Sequence, residues 1–166
     1  FTNSGSEANE IAVLMSREHT GHAPALALRN GYHGGTPTTM ALTAHGTWKF
    51  PSNPQGSVLH TNGGYCYRCP YDLKYPNCGL KCAHDVKNVI QYQTPGEIAC
   101  FIGEPIQGVG GAVVPPDEYF KIVYDIVREH GGLCIADEVQ GGFGRTGEHY
   151  WSHQHWGVQP DLITMA

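Results

Sequence analysis

Asp137 ends the apolar run Leu133-Cys134-Ile135-Ala136, and a carboxylate delivered by a buried strand needs a cationic or hydrogen-bonding partner. The residues that follow, Glu138-Val139-Gln140-Gly141-Gly142-Phe143-Gly144-Arg145, make a glycine-loosened loop in which a ligand can sit. Near the start, Ser4-Gly5-Ser6-Glu7-Ala8-Asn9-Glu10 opens a helix, whose first N–H groups lack intrahelical partners and carry the positive end of the dipole. Gly5 and Ser6 are the natural cradle for a phosphate there, although the same turn also reads as a plain capped helix. Asp137 by itself reads equally well as a cap on the next turn. Taken together, an anion cup at one pole and a buried carboxylate at the other suit pyridoxal phosphate. Asp137 would keep the ring nitrogen protonated and so make the ring an electron sink.

Other side chains extend this reading. Tyr32 and His33, held between Gly31 and Gly34-Gly35, offer a flat face against which a ring can stack, or else fill the core edge beside a turn. Glu104 closes a strand just before Pro105 and either orders the site or serves as a structural carboxylate. Gln140 is placed to donate its amide to a phenolic oxygen. Arg145 would pair with a substrate carboxylate or, in the favoured reading, brace the glycine loop. His149, His153 and His155 lie near Trp151 and Trp156 and read as a solvated loop, so no residue is assigned as a metal ligand in the candidate active site.

These residues need elements to position them. The Ser4-x-x-Glu7 spacing is that of a capping box, and Ile11, Leu14 and Met15 fall on one face, which predicts a helix from about Ser6 to His19. Strands are expected at Ala25 to Leu28, Ile98 to Gly103, Leu133 to Ala136 and Leu162 to Met165, with a second helix between Thr36 and Ala44. Pro115-Pro116-Asp117 opens the clearest helix, with Tyr119, Val123, Ile126 and Val127 on a stripe and Gly131-Gly132 as its stop. Between about 47 and 84 the texture turns to Pro, Gly, Asn, Tyr and Cys without a sustained period, a long excursion. Strands alternating with helices favour a mostly parallel α/β sheet with right-handed crossovers. Tyr32, Glu104 and Asp137 then fall at the carboxyl ends of strands, where ligands collect in such sheets.

Bulk properties narrow the function classes. A composition 40% hydrophobic and 15% charged is that of a globular domain, and 10 Lys and Arg against 15 Asp and Glu leave a net charge of -5 with no basic footprint for nucleic acid. No apolar stretch approaches the roughly 20 residues needed to span a bilayer. Cys66-x2-Cys69-x8-Cys78-x3-Cys82 gathers four of the six cysteines inside the excursion. A four-thiolate zinc site, free thiols and disulfides all stay open for them. Cys100 and Cys134 sit in strand runs and read as small core residues.

The chain closely resembles the class-III pyridoxal-phosphate-dependent aminotransferases, nearest the alanine–glyoxylate type 2 branch. The stretches that carry the resemblance are 3–10, Gly31-Tyr32-His33-Gly34, Glu104-Pro105-Ile106-Gln107-Gly108 with Val109, 135–147 and 160–166. It implies fold type I, the chain being part of the large cofactor-binding domain over 1–166 and that domain incomplete. It also implies that Gly5 and Ser6 bind phosphate, Tyr32 stacks on the ring with His33 beside it, Asp137 pairs with the ring nitrogen and Gln140 touches the phenolic oxygen. Glu104 matches an active-site glutamate. Many ω-amino-acid members have glutamate at Val109 and arginine at Gly35, so a glutamate-gated arginine switch is not implied. The family's Schiff-base lysine would follow Ala166, and the small C-terminal domain would follow it, so 1–166 alone is expected to be inactive and the function to belong to a longer protein. That function is expected to be transfer of an amino group from an amine or amino acid to a small 2-oxo acid such as pyruvate or glyoxylate. A homodimer in the cytoplasm or mitochondrial matrix is expected, without nucleic-acid or membrane partners. The alternatives are a lyase of the same fold acting on a phosphorylated amino alcohol, and a non-catalytic zinc-stabilised interaction domain.

Overall fold

In the computed structural model, which describes residues 1–53 and 56–166, Ser4 caps the first helix, α1 (Gly5–Thr20). Its Oγ accepts from the Glu7 N–H at 3.2 Å, and the Glu7 carboxylate takes the Asn3 N–H at 2.6 Å. Gly21, at φ 73°, ends the helix by donating to the Arg17 carbonyl. The inward face of α1 differs from the expected one. Ile11, Leu14 and Met15 are exposed, whereas Asn9, Ala12, Val13 and Ser16 are buried. The small residues let the helix lie close over β3, β4 and β5 of the sheet, which the longer side chains would prevent.

The chain continues through β1 (Ala25–Leu28), α2 (Pro37–Leu42), β2 (Val58–Thr61), α3 (Lys81–Gln93), β3 (Cys100–Gly103), α4 (Tyr119–Glu129), β4 (Leu133–Asp137) and β5 (Leu162–Thr164). The strands form one sheet in the order β2-β1-β3-β4-β5, and every neighbouring pair is parallel. Alternate strand residues serve opposite faces. Leu26, Leu28, Phe101 and Cys134 pack with Val86, Ile90, Phe120 and Val123 from α3 and α4. Ala25, Ala27, Cys100, Ile102 and Ile135 pack under α1 and α2. The α/β architecture with a parallel sheet is thus the expected one.

Four strands are expected from the sequence, and β2 is a fifth. It lies inside the stretch read as an excursion, of which residues 54 and 55 fall outside the described residues. Val58-Leu59-His60-Thr61 is short, carries two polar residues and takes an edge position that only half buries its middle, so no apolar run announces it. Helix α3 was also missed. Cys82, Ala83, Val86, Val89 and Ile90 carry a helical period, but the N-cap is Leu80 at φ 48°, without a side-chain cap bond, so the usual start signal is absent. The Pro115-Pro116 pair lies ahead of α4, whose first residue Tyr119 donates its N–H to the Pro116 carbonyl at 3.0 Å.

The strand order reverses between β1 and β3. The connection leaving β1 runs to α2 on one face, the connection leaving β3 runs to α4 on the other, and the two loops diverge to leave a crevice at the sheet's carboxyl edge.

Candidate active site

That crevice holds a cavity of about 250 Å³ lined by Gly5, Ser6, Tyr32, His33, Glu104, Asp137 and Gln140, together with Asn9, Gly34, Val109 and Val139. Gly5, Ser6, Tyr32, His33, Glu104, Asp137 and Gln140, named from the sequence, all border it, whereas Arg145 does not; they come from the first turn of α1, the loop after β1, the loop after β3, the end of β4 and the loop after it.

Asp137 is buried at the carboxyl end of β4. Its Oδ2 accepts from Asn9 Nδ2 at 2.8 Å and meets His33 Nδ1 at 2.8 Å, and its Oδ1 accepts the Val139 N–H at 3.2 Å. Asn9 also donates to the His33 carbonyl at 2.9 Å and accepts from Thr164 Oγ1 at 2.6 Å, so three elements fix one carboxylate. Burial alone would pull the His33 imidazole below its ordinary range, but the hydrogen bond and charge of Asp137, with a lesser contribution from Glu104, carry it above. His33 Nε2 is buried without a hydrogen-bond partner among the described residues. Asn9 was not anticipated, since an asparagine in a capped first turn and a half looks like surface; the one available signal was its polarity at a position the true helical face turns inward.

Glu104 ties two loops together, accepting the Tyr32 N–H at 2.8 Å on Oε1 and the Gly108 N–H at 2.7 Å on Oε2. Burial raises its carboxyl above the usual range, against the opposing pull of His33 and those two amides. Tyr32 stands edge-on to Trp48, ring centroids 5.4 Å apart. Gln140 lies against Gly108 so closely that a Cβ there would come within 2.3 Å of its Oε1.

Ser6 Oγ accepts the Gly35 N–H at 3.0 Å and fastens the tip of α1 to the loop after β1. Gly34 makes that closeness possible: its φ is 131°, and a Cβ would fall 2.3 Å from Ser6 Oγ and 2.8 Å from Ser6 Cα. Gly34→Ala should cost about 1–3 kcal/mol in strain, lower the melting temperature and push the α1 tip away from the cavity. Gly35→Ala, with open space around the new Cβ, is the matched control, and equal melting temperatures for the two variants would refute the close-approach argument.

Two expectations about the loop after β4 are corrected. His153 is not solvated: it is 4% exposed, and its Nδ1 meets Glu138 Oε1 at 2.8 Å. It belongs to a short 3-10 segment, Ser152–Trp156, that wraps a buried glutamate. Arg145 is exposed, and its guanidinium braces nothing among the described residues. His149 and His155 stack edge to face at 4.6 Å and stand with Glu148 as the one trio close enough to share an ion among the described residues, on an exposed loop.

The amide-lined tip of α1, an oriented buried carboxylate and a flat aromatic at the rim suit a phosphorylated, nitrogen-containing ring, and the unpartnered His33 Nε2 shows the buried polar network still has a donor or acceptor to spare. Comparison with known proteins agrees with this chemistry. The family described as aminotransferase class-III matches residues 1–166. An Arabidopsis thaliana protein named alanine–glyoxylate aminotransferase 2 homolog 2, mitochondrial, is 47% identical over 166 residues, covering 100% of this chain and 34% of the relative. A Caenorhabditis elegans protein named ethanolamine-phosphate phospho-lyase homolog 1 is 37% identical over 185 residues, covering 100% of this chain and 38% of that protein. Among solved structures, an amine transaminase from an uncultivated Pseudomonas species, described as PLP-bound, superposes with a TM-score of 0.92 at 32% identity, covering 99% of this chain and 39% of that one. The chain therefore spans a little over a third of the length of these relatives.

Proposed function

The chain belongs to the class-III aminotransferase family and has the fold type I α/β architecture of its transaminases, and from that premise we propose that its cavity holds pyridoxal 5'-phosphate in an enzyme that moves an amino group from an amine or amino acid to a small 2-oxo acid such as pyruvate or glyoxylate. The observation that carries this reading is the pairing, across one cavity, of the α1 tip with a carboxylate held by His33 and Asn9. When bound, the coenzyme supplies an aldehyde that condenses with amines and a ring that withdraws electrons from the carbon losing its proton.

The residues present have distinct tasks in this proposal. The Gly5 and Ser6 N–H groups would hold the phosphate at the positive end of α1. Asp137 would hold a proton on the ring nitrogen, and His33 and Asn9 keep its carboxylate aimed while Val139 N–H occupies the other oxygen. Tyr32 would cover one face of the ring, and Gln140 would donate to the phenolic oxygen. Glu104 acts as a positioning residue, since its two amide bonds set the loops that carry Tyr32 and Gly108.

The phospho-lyase relative supports a second reading, elimination from a phosphorylated amino alcohol, because the same contacts serve both reactions. The proposed assembly is a homodimer, resting on the family alone. Of the two compartments expected, the mitochondrial matrix is supported by the name of the plant relative. The test is the absorbance of the full-length protein reconstituted with coenzyme, followed as candidate amines and then pyruvate or glyoxylate are added. A band that shifts with amine and returns with the 2-oxo acid is expected. Release of ammonia and phosphate instead would move the assignment to the lyase, and failure to retain the coenzyme would overturn both.

A further inference from the structure

Cys66, Cys69, Cys78 and Cys82, separated by up to sixteen positions in sequence, all border one narrow cavity of about 20 Å³. That space takes a single atom-sized body and no organic ligand. The Cys66–Arg68 3-10 turn and the residue after it supply the first pair. The turn leading into α3 supplies Cys78, and the first turn of α3 supplies Cys82. The cysteines at Cys100 and Cys134 lie elsewhere, buried in strands.

The segment around this cavity lacks the usual means of holding a fold. From Tyr65 to Lys81 no residue is fully buried, and only Tyr71 and Leu80 pack, half-buried, against the core among the described residues, so hydrophobic burial orders only part of it. Its polar ties are few: Tyr71 Oη accepts from Asn62 Nδ2 at 3.0 Å, and Tyr75 Oη donates to Glu118 at 3.1 Å. A protein that keeps so exposed a segment folded commonly staples it with a disulfide or a metal, and all four thiols are free here. Cys82 stands in the first turn of α3, with its own backbone amide and that of Ala83 directed at its sulfur, although burial outweighs them and pushes its thiol up to about 11.

We propose that Cys66, Cys69, Cys78 and Cys82 form a structural four-thiolate zinc site that staples residues 63–82 to the N-terminus of α3. Tetrahedral zinc holds its sulfurs at about 2.3 Å. No three of these sulfurs yet lie within 4.8 Å of one another among the described residues, so binding draws the exposed turns inward, and each thiol releases its proton to solvent as it becomes a ligand. The four positions belong to none of the residues proposed to hold the coenzyme, and the inference stands apart from the reading of that cavity.

Elemental analysis of the full-length protein, purified with zinc present and dialysed, is expected to find one zinc per chain. Replacing it by cobalt(II) should give thiolate-to-cobalt charge-transfer absorption and the visible bands of a tetrahedral site, and titration with a thiol reagent should release four additional reactive thiols once a strong chelator is added. Cys78→Ser should lose the metal and the cobalt spectrum. If that variant fails to fold, the cobalt spectrum and thiol titration of the unaltered protein still decide the matter. Substoichiometric zinc with four freely reactive thiols, or a disulfide joining any two of the four, would overturn the proposal.

Discussion

Asp137→Ala in the full-length protein should reduce coenzyme affinity by roughly two to four orders of magnitude and bring turnover to background. Removing one partner of a buried charged pair costs about 3–5 kcal/mol, and each 1.4 kcal/mol is a factor of about ten. The loss has two sources. The proposed cationic ring nitrogen loses its counter-charge, and Asn9 Nδ2 and His33 Nδ1, each 2.8 Å from Oδ2, lose an acceptor. Asp137→Asn separates these, because an amide keeps an oxygen for Asn9 while removing the negative charge. Equilibrium titration with coenzyme, circular dichroism and turnover measured together would check the account. Near-normal turnover in a folded Asp137→Ala variant would show that the carboxylate does not have the role proposed.

The second large effect concerns the neighbouring carboxylate and stability. Glu138 is fully buried: its Oε2 accepts from Ser152 N–H at 3.0 Å and Ser152 Oγ at 2.5 Å, and its Oε1 from His153 N–H at 2.8 Å and His153 Nδ1 at 2.8 Å. Burial would raise its carboxyl, yet the bonds from His153 and Ser152 together hold it below the ordinary value of 4.5. The bonded carboxylate therefore contributes stability that is present in full above about pH 4.5 and is lost as pH falls through the lowered folded value. Glu138→Ala should destabilise the protein by about 3–5 kcal/mol at neutral pH, since it leaves several buried donors unpaired. Denaturant unfolding at neutral pH and in acid is the check: the gap between the two proteins should narrow as the pH drops, and a gap independent of pH would mean that the ionised side chain is not what stabilises the loop.

How much of this could be read from the residues depended on how locally each feature is encoded. Asp137, Tyr32 and Glu104 were legible because each ends an apolar run or borders a glycine turn, so the sheet's carboxyl edge followed from the alternation of strands and helices. Their convergence on one cavity follows from strand order, which no local pattern contains, since the reversal between β1 and β3 opens the crevice that the loops after those strands line. Asn9 and Glu138 were invisible for a different reason. Both are polar residues whose burial is made tolerable by partners far along the chain, Asp137 and Thr164 for Asn9 and Ser152 with His153 for Glu138. The apolar triplet Ile11, Leu14 and Met15 points to the wrong face of α1, because small size rather than apolarity decides which face can lie close on the sheet. Edge strand β2 lacked an apolar run, and α3 lacked a capping residue.

The ring-nitrogen end of the cavity is where the central claim is most exposed. Nitrogen-15 NMR of the full-length protein, reconstituted with coenzyme labelled at the ring nitrogen, should give the signal of a protonated pyridinium near neutral pH, and that signal should disappear in Asp137→Ala. A neutral pyridine signal in the unaltered protein, or a pyridinium signal that persists without Asp137, would contradict the account.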